Sequence, residues 1–245
     1  GSMIINFITI FPEFAESFST FGLIKKALKK NLIKFNIISL RDFSNDSHNR
    51  VDDKPYGGGP GMLLRYEPIK KAIDSLGNHP YNIYLSPQGK KIDKDILHKF
   101  LNIPEITLIC GRYEGIDQRI IDNHIDEEIS IGDYVISGGE LAAMVMIEAL
   151  VRRIPGVPED IDSILSESFE DGILDYPQFS RPETINGISV PEVLLKGNHE
   201  DIRKWRRKMS LGATFSKRPD LLKNVKLTKE DDKLLKEYVD ERKNK

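Results

Sequence analysis

Apolar positions recur with two spacings along the first 155 residues. Short apolar runs at Met3–Ile10, Ile33–Leu40, Tyr81–Leu85 and Glu105–Cys110 read as strands. Between them, Gly22–Asn31, Glu67–Leu76, Asp93–Phe100 and Gly115–His124 space their apolar residues as helices do, and Leu23, Ala27 and Leu28 share one side of the first. Glu128–Ile131 and Tyr134–Ile136 read as short strands before a long apolar helix from Gly139 to about Arg152. Strands separated by helices predict a parallel sheet covered on both faces, an α/β domain.

The alternation stops after Ile154-Pro155-Gly156-Val157-Pro158. Residues 157–190 are rich in Pro, Gly, Ser and acids and have little periodicity, which predicts a linker or mobile loop. Helical stretches near Val190–Leu195, His199–Leu211 and Thr228–Arg242 then predict a small helical C-terminal domain. The expected organisation is an α/β domain over residues 1–158, a flexible linker over 159–172 and a helical domain over 173–245.

Composition narrows the class. With 39% hydrophobic and 30% charged residues, the chain of 245 has the make-up of a globular protein. No apolar run is long enough to span a bilayer, and the start has no basic flank, so a cytoplasmic location is expected, with Gly1-Ser2 as an expression scar. A single cysteine, Cys110, rules out an internal disulfide and a cysteine zinc site. The net charge of −2 hides an asymmetry: Glu114 to Glu183 holds 17 acidic and 4 basic residues, whereas Lys196 to Arg218 holds 8 basic and 2 acidic. Within the basic stretch, Arg203-Lys204-Trp205-Arg206-Arg207-Lys208 carries the only tryptophan. Cations beside a ring suit phosphates and bases, though a solvated helix face has the same composition.

Several familiar sites are missing. There is no GxxxxGK[ST] loop, no GxGxxG between a first strand and a helix, and no GxSxG elbow. The histidines His48, His79, His98, His124 and His199 lack metal-ligand spacing, so no metal is expected. Three glycine-bearing turns follow predicted strands instead: Leu85-Ser86-Pro87-Gln88-Gly89, Gly111-Arg112-Tyr113-Glu114-Gly115, and Ser130 to Glu140. Ligands of parallel sheets collect at the carboxyl ends of strands, and glycines let main chain approach them closely. Three such turns suggest one pocket made mostly of backbone, better suited to a flat adenine ring than to a phosphate. A fourth turn, Lys54 to Met62, holds four glycines in five positions and reads either as a flexible loop or as a surface for a nucleobase.

The motifs YGGGPGM at 56–62, YLSPQG at 84–89, CGRYEG at 110–115, SIGDYVISGGE at 130–140, RRIPGV at 152–157 and HEDIRKWRRKMSL at 199–211 run in the same order as in a known family. From Met3 to about Leu222 the chain resembles the bacterial tRNA (guanine-N1)-methyltransferases of the SPOUT class. That resemblance implies a knotted parallel-sheet domain, S-adenosylmethionine as methyl donor and an obligate homodimer. It also implies a tRNA substrate, methylated at guanosine 37 beside the anticodon when position 36 is guanosine too. General topology rules argue against a knot, which only the resemblance implies.

Carried over by motif, the donor pocket comprises Tyr84, Leu85, Ser86, Pro87 and Gly89; Gly111, Arg112, Tyr113 and Glu114; and Ser130, Ile131, Gly132, Asp133, Tyr134, Val135, Ile136, Gly138 and Gly139. The implied catalytic carboxylate is Glu167, where the family often has aspartate, and Arg152 matches an arginine beside the target base. The implied tRNA contacts are Asp52, Gly57, Gly59, Gly61, Met62, Ser168, Lys196, Arg203, Lys204 and Arg207. These residue types suit the reaction. Guanine N1 is protonated at neutral pH and attacks only after a base removes the proton, while an arginine can hold the charge that develops toward O6. Competing readings are a related methyltransferase acting on a ribose or another base, and a non-catalytic module that binds anticodon loops.

Overall fold

The computed structural model describes residues 1–245, in two units, Gly1–Ile161 and Asp162–Lys245. In the first unit the strands are β1 (Met3–Thr9), β2 (Ile33–Ser39), a two-residue pair β3 (Asp52–Asp53) and β4 (Leu63–Leu64), β5 (Tyr81–Lys91), β6 (Glu105–Cys110) and β7 (Glu127–Ser130). Five of them form one parallel sheet in the order β2-β1-β6-β5-β7, while β3 and β4 pair antiparallel as a hairpin stem. Both faces are covered: Ile5, Phe7, Ile106 and Leu108 are fully buried on one, and on the other Ile8 and Ile109 are buried beside Asn6, whose amide donates to the Thr107 hydroxyl at 3.2 Å.

The helices of this unit are α1 (Pro12–Phe18), α2 (Gly22–Lys29), α3 (Tyr66–Asp74), α4 (Lys94–Leu101), α5 (Gln118–His124) and α6 (Gly139–Val151). Helix α4 starts where the Asp93 carboxylate accepts the Ile96 N–H at 2.9 Å. Helix α6 is apolar nearly all round and buries Ala143, Met146, Ile147 and Leu150 in the core beside Phe7 and Phe100.

Two local expectations fail and one helix goes unforeseen, each for a physical reason. Tyr134–Ile136 is not a strand but an irregular loop: Val135 is 84% exposed, so its apolar run does not mark burial. Helix α5 begins at Gln118, not Gly115, because Asp117 caps it and the Gly115 carbonyl and Asp117 N–H bond Leu64 instead. Helix α1 is too short for periodicity to reveal; proline in its first turn is its one local signal. Strand β5 also runs past Leu85 to Lys91, with its register against β7 shifting between Leu85 and Lys90.

Residues 157–190 hold local structure that composition does not reveal. They include α7 (Ile161–Leu165) and a hairpin of β8 (Thr184–Ile185) and β9 (Ile188–Ser189), turned by Asn186-Gly187 with both residues at positive φ. The second unit continues with α8 (His199–Lys217), α9 (Pro219–Leu222) and α10 (Lys229–Lys243) around a small core of Ile173, Leu211 and Leu234. Helix α8 is capped by Asn198, and α10 by a reciprocal Thr228–Asp231 box.

Candidate functional site

At the carboxyl ends of β6 and β7 two of the glycine-bearing turns line one cleft of about 380 Å³, and the third segment, Leu85–Gly89, joins it not as a turn but as the irregular middle of β5. Its wall is built from Tyr84 to Gln88, Gly111 to Ile116, and Glu128 to Gly139 without Asp133, with Gln118, Ile121 and Ala142 closing it. Five of its lining residues, Gly111, Gly115, Gly132, Gly138 and Gly139, are glycines, which open main chain to the cleft. Gly139 and Gly111 bring α6 against the end of β6, the Gly139 N–H donating to the Gly111 carbonyl at 2.9 Å. A Cβ on Gly139 would stand 3.1 Å from the Cys110 Cα, so a side chain there forces two backbones apart.

Two residues carried over to the pocket do not line this cleft. Gly89 packs against the β7 backbone, where a Cβ would lie 2.5 Å from the Glu128 carbonyl carbon. Asp133 points to solvent and pairs with Lys91 at 2.6 Å. Conversely, Gln88, Gly115, Ile116, Gln118, Ile121, Glu128, Ile129, Ser137 and Ala142 line it without having been singled out. Gln88, Gly115 and Ser137 lie inside the quoted motifs, whereas the α5 residues carried no signal in the sequence.

Tyr84 is 6% exposed and its hydroxyl lies between the backbones of Gly111 and Gly115. Burial pushes its phenol up to about 12, and the nearby Glu128 charge adds to this, so the group is neutral at any physiological pH. Burial likewise pushes the Cys110 thiol well above its ordinary value, helped by the Glu140 charge, which makes it a packing residue and not a nucleophile. Glu140 itself is 1% exposed. One of its oxygens accepts the Thr9 hydroxyl at 2.9 Å and the other accepts Arg112 Nε at 3.1 Å. A carboxylate so deep is tolerable only with such partners.

The glycine loop is the tip of the β3–β4 hairpin. Gly57, Gly58, Gly59 and Gly61 all have positive φ, between +81° and +98°. Beyond the tip, the chain rejoins the cleft: the Met62 carbonyl accepts the Glu114 N–H at 3.0 Å, and the Leu64 N–H donates to the Gly115 carbonyl at 3.0 Å. Asp52 lies in the stem opposite Leu64.

With this geometry in view, comparison with known proteins is decisive. The family described as tRNA (Guanine-1)-methyltransferase TrmD matches residues 3–224. The chain belongs to this family. It is 49% identical over 243 residues to a tRNA (guanine-N(1)-)-methyltransferase of Shewanella amazonensis, covering 98% of this chain and 97% of the relative. A protein of the same name from Tolumonas auensis is 49% identical over 243 residues, covering 98% of each. Another, from a Sulfurihydrogenibium species, is 49% identical over 241 residues, covering 97% of this chain and 94% of the relative. The three glycine-bearing segments are therefore those of a tRNA (guanine-1)-methyltransferase.

The other residues implied by family motifs fall in both units. Arg152 closes the C-terminus of α6 in the first unit and is half-buried. Glu167, also half-buried, stands in a turn of the second unit; its carbonyl accepts the Glu170 N–H at 3.3 Å. Next to it, the Ser168 hydroxyl bonds the Asp175 carboxylate at 3.0 Å.

On α8 the arginines are already engaged. Arg203 holds Glu200 and Glu230 at 2.8 and 2.9 Å, and Arg207 holds Asp231 and Asp171, both at 2.8 Å. Asp231 is buried, and the Arg207 guanidinium holds its carboxyl below the usual range. Lys196 pairs loosely with Glu192 at 3.6 Å, and Lys204 makes no ion pair. No helix of the chain is long and apolar enough to cross a membrane.

Proposed function

We propose that this chain transfers the methyl group of S-adenosylmethionine to N1 of guanosine 37 in tRNAs that carry guanosine at position 36. The observation that carries this reading is the convergence of the three glycine-bearing segments into one cleft, in a chain of this family. A volume of about 380 Å³ fits a ligand of the donor's size. The glycines of its lining admit a flat ring closely to the main chain. The donor supplies an electrophilic methyl group on sulfur; what the chain adds is position and proton transfer.

Glu167 is the acceptor of the N1 proton, and Arg152 holds the charge that grows at O6 as the proton leaves. Removal of the proton turns N1 into a nucleophile beside the donor cleft. In this reading the α/β domain is knotted and the active enzyme is a cytoplasmic homodimer in which each site takes its Glu167 from the second copy. The glycine loop, with Asp52, Gly57, Gly59, Gly61 and Met62, reads the bases of the anticodon loop, while Ser168 and the cations of α8 contact the anticodon stem. Lys196 and Lys204 are the readier phosphate ligands, because Arg203 and Arg207 must share their donors with carboxylates.

The test is methyl transfer to a tRNA transcript with guanosine at position 37 and to its adenosine variant. Transfer to the first alone, with the methyl mapped to N1, is the expected result. Transfer to a ribose, or to neither transcript, refutes the reading.

A further inference from the structure

A closed circuit of contacts ties the carboxyl end of β1 to the 111–115 turn. Strand β1 lies next to β6 in the sheet but gives the donor cleft no lining residue. Just past its end, the Phe11 N–H donates to the Thr9 hydroxyl oxygen at 2.9 Å. That hydroxyl donates in turn to Glu140, whose second oxygen accepts Arg112 Nε. The Arg112 guanidinium closes the circuit by lying over the Phe11 ring, with Cζ 4.5 Å from its centroid. Arg112 also meets Gly138 twice. Their backbones pair as an isolated antiparallel bridge, and a Cβ on Gly138 would overlap Arg112 Nε and Cζ. Since Arg112 and Gly138 stand in two different walls of the cleft, the side chain that Glu140 grips lies across the seam between them.

We propose that Glu140 is a positioning residue for methyl-donor binding: anchored by Thr9, it fixes Arg112 and so holds the 111–115 turn against the 130–139 segment. This rests on the donor-cleft reading above and adds to it the buried residue that keeps the walls of the cleft in place. A glutamate in the first turn of α6 could serve the helix dipole from an exposed position. Glu140 is instead turned inward and directs both oxygens to side chains, while α6 starts without a side-chain cap. A buried ion pair adds little stability over apolar residues of the same volume, so orientation is what this one supplies. The circuit also demands a carboxylate. Thr9 has already accepted the Phe11 N–H, so its hydroxyl proton and the Arg112 N–H both need an acceptor, and a carboxylate accepts on both oxygens. Glutamine can satisfy only one of the two. Whichever way its amide turns, either two donors face each other or the Thr9 proton is left without a partner.

The experiment is calorimetric titration with S-adenosylmethionine, run well below the melting temperature of each variant. Glu140→Gln should weaken donor binding roughly tenfold, the scale of one hydrogen bond to a charged group. Arg112→Met keeps the stem over Phe11 and removes the head; in that background Glu140→Gln should change donor affinity by less than about twofold, because nothing remains to be positioned. Thr9 lines no part of the cleft, so it reaches the donor through Glu140. Thr9→Val should weaken donor binding by about twofold to tenfold, the scale of one neutral hydrogen bond, and Thr9→Ser, which keeps the hydroxyl, should bind as the parent does. These two variants decide the matter if Glu140→Gln does not fold. A merely structural Glu140 would lower the melting temperature and leave donor affinity alone, or weaken the donor equally in both backgrounds. Either result overturns the proposal, as does a Thr9→Val protein with parental affinity. Gly139→Val, which fills the cleft itself, separates the two readings. Full donor affinity there refutes the cleft assignment and the positioning role with it, whereas loss there beside parental affinity in Glu140→Gln and Thr9→Val refutes the positioning role alone.

Discussion

The chain uses glycine in two opposite ways, and the donor cleft and the hairpin loop show them side by side. In and beside the cleft, glycines stand where another backbone or a buried ring leaves no room: Gly111 against Tyr84 and Gly139 against Cys110 in its wall, and Gly89 against β7 just outside it. None of these three has a left-handed backbone. At the tip of the β3–β4 hairpin, Gly57, Gly58 and Gly59 have nothing within 4 Å of a notional Cβ, yet all have positive φ. Glycine in the first region is a matter of space, and in the second of backbone conformation. A dense run of glycines therefore does not mean one thing, and only the surroundings distinguish a close-packed turn from a permissive loop.

The largest effects should come from filling the crowded positions. Gly89→Val and Gly139→Val force the backbones of β5 from β7 and of α6 from β6. Calorimetry with S-adenosylmethionine should show affinity lost by a hundredfold or more, with a destabilisation of about 1–3 kcal/mol or above. Unchanged donor affinity in both variants breaks the contrast.

Gly111→Ala is a milder intrusion, because its Cβ meets the Tyr84 hydroxyl at 2.9 Å, the end of a side chain and not a backbone. A drop of about tenfold in donor affinity is expected, and Tyr84→Phe in the same chain should recover most of it by removing the oxygen. Absence of recovery shows that the clash lies elsewhere.

Gly58→Ala at the hairpin tip meets nothing and bears only the left-handed strain of φ +81°, about 1 kcal/mol. Its melting temperature should fall by a few degrees at most, donor affinity should not change, and discrimination between guanosine and adenosine at position 36 should weaken. A loss of donor affinity here would make the two regions one.

A smaller difference lies in alkaline stability. Since Tyr84 is pushed up to about 12 when folded and titrates near 10 when unfolded, folding favours its neutral form. That contribution is complete below pH 10 and declines as pH rises from 10 toward 12. Denaturant midpoints should thus fall more steeply over that range in the parent protein than in Tyr84→Phe; parallel curves would show that the phenol is not enclosed.

These contrasts also mark what sequence reasoning can reach. The sheet is legible because β1 and β6 are apolar on both faces, Ile5, Phe7, Ile106 and Leu108 on one and Ile8 and Ile109 on the other, which a covered parallel sheet demands. The turns are legible as glycines following strands. The Glu140–Arg112–Thr9 set is not, because an acid in the first turn of a helix reads as an ordinary partner of its dipole until its burial is known. The engagement of Arg203 and Arg207 is hidden likewise: their partners Glu230 and Asp231 lie more than twenty residues away in sequence. A basic composition records how many cations are present, not how many are available. Tyr134–Ile136 misleads for the inverse reason, since apolar side chains lining a cleft carry the same letters as those of a buried strand.

The return of the hairpin to the cleft has a mechanical consequence. A single residue, Gly61, separates the exposed Pro60 from Met62, whose carbonyl is fastened to Glu114, and two residues further on Leu64 is clamped to Gly115 and Asp117. The loop is therefore the free arm of a short lever whose fulcrum is the floor of the donor cleft. On the proposed reading, a nucleotide resting on the arm would load residues 114–117 through three hydrogen bonds, and a donor seated against those residues would stiffen the arm.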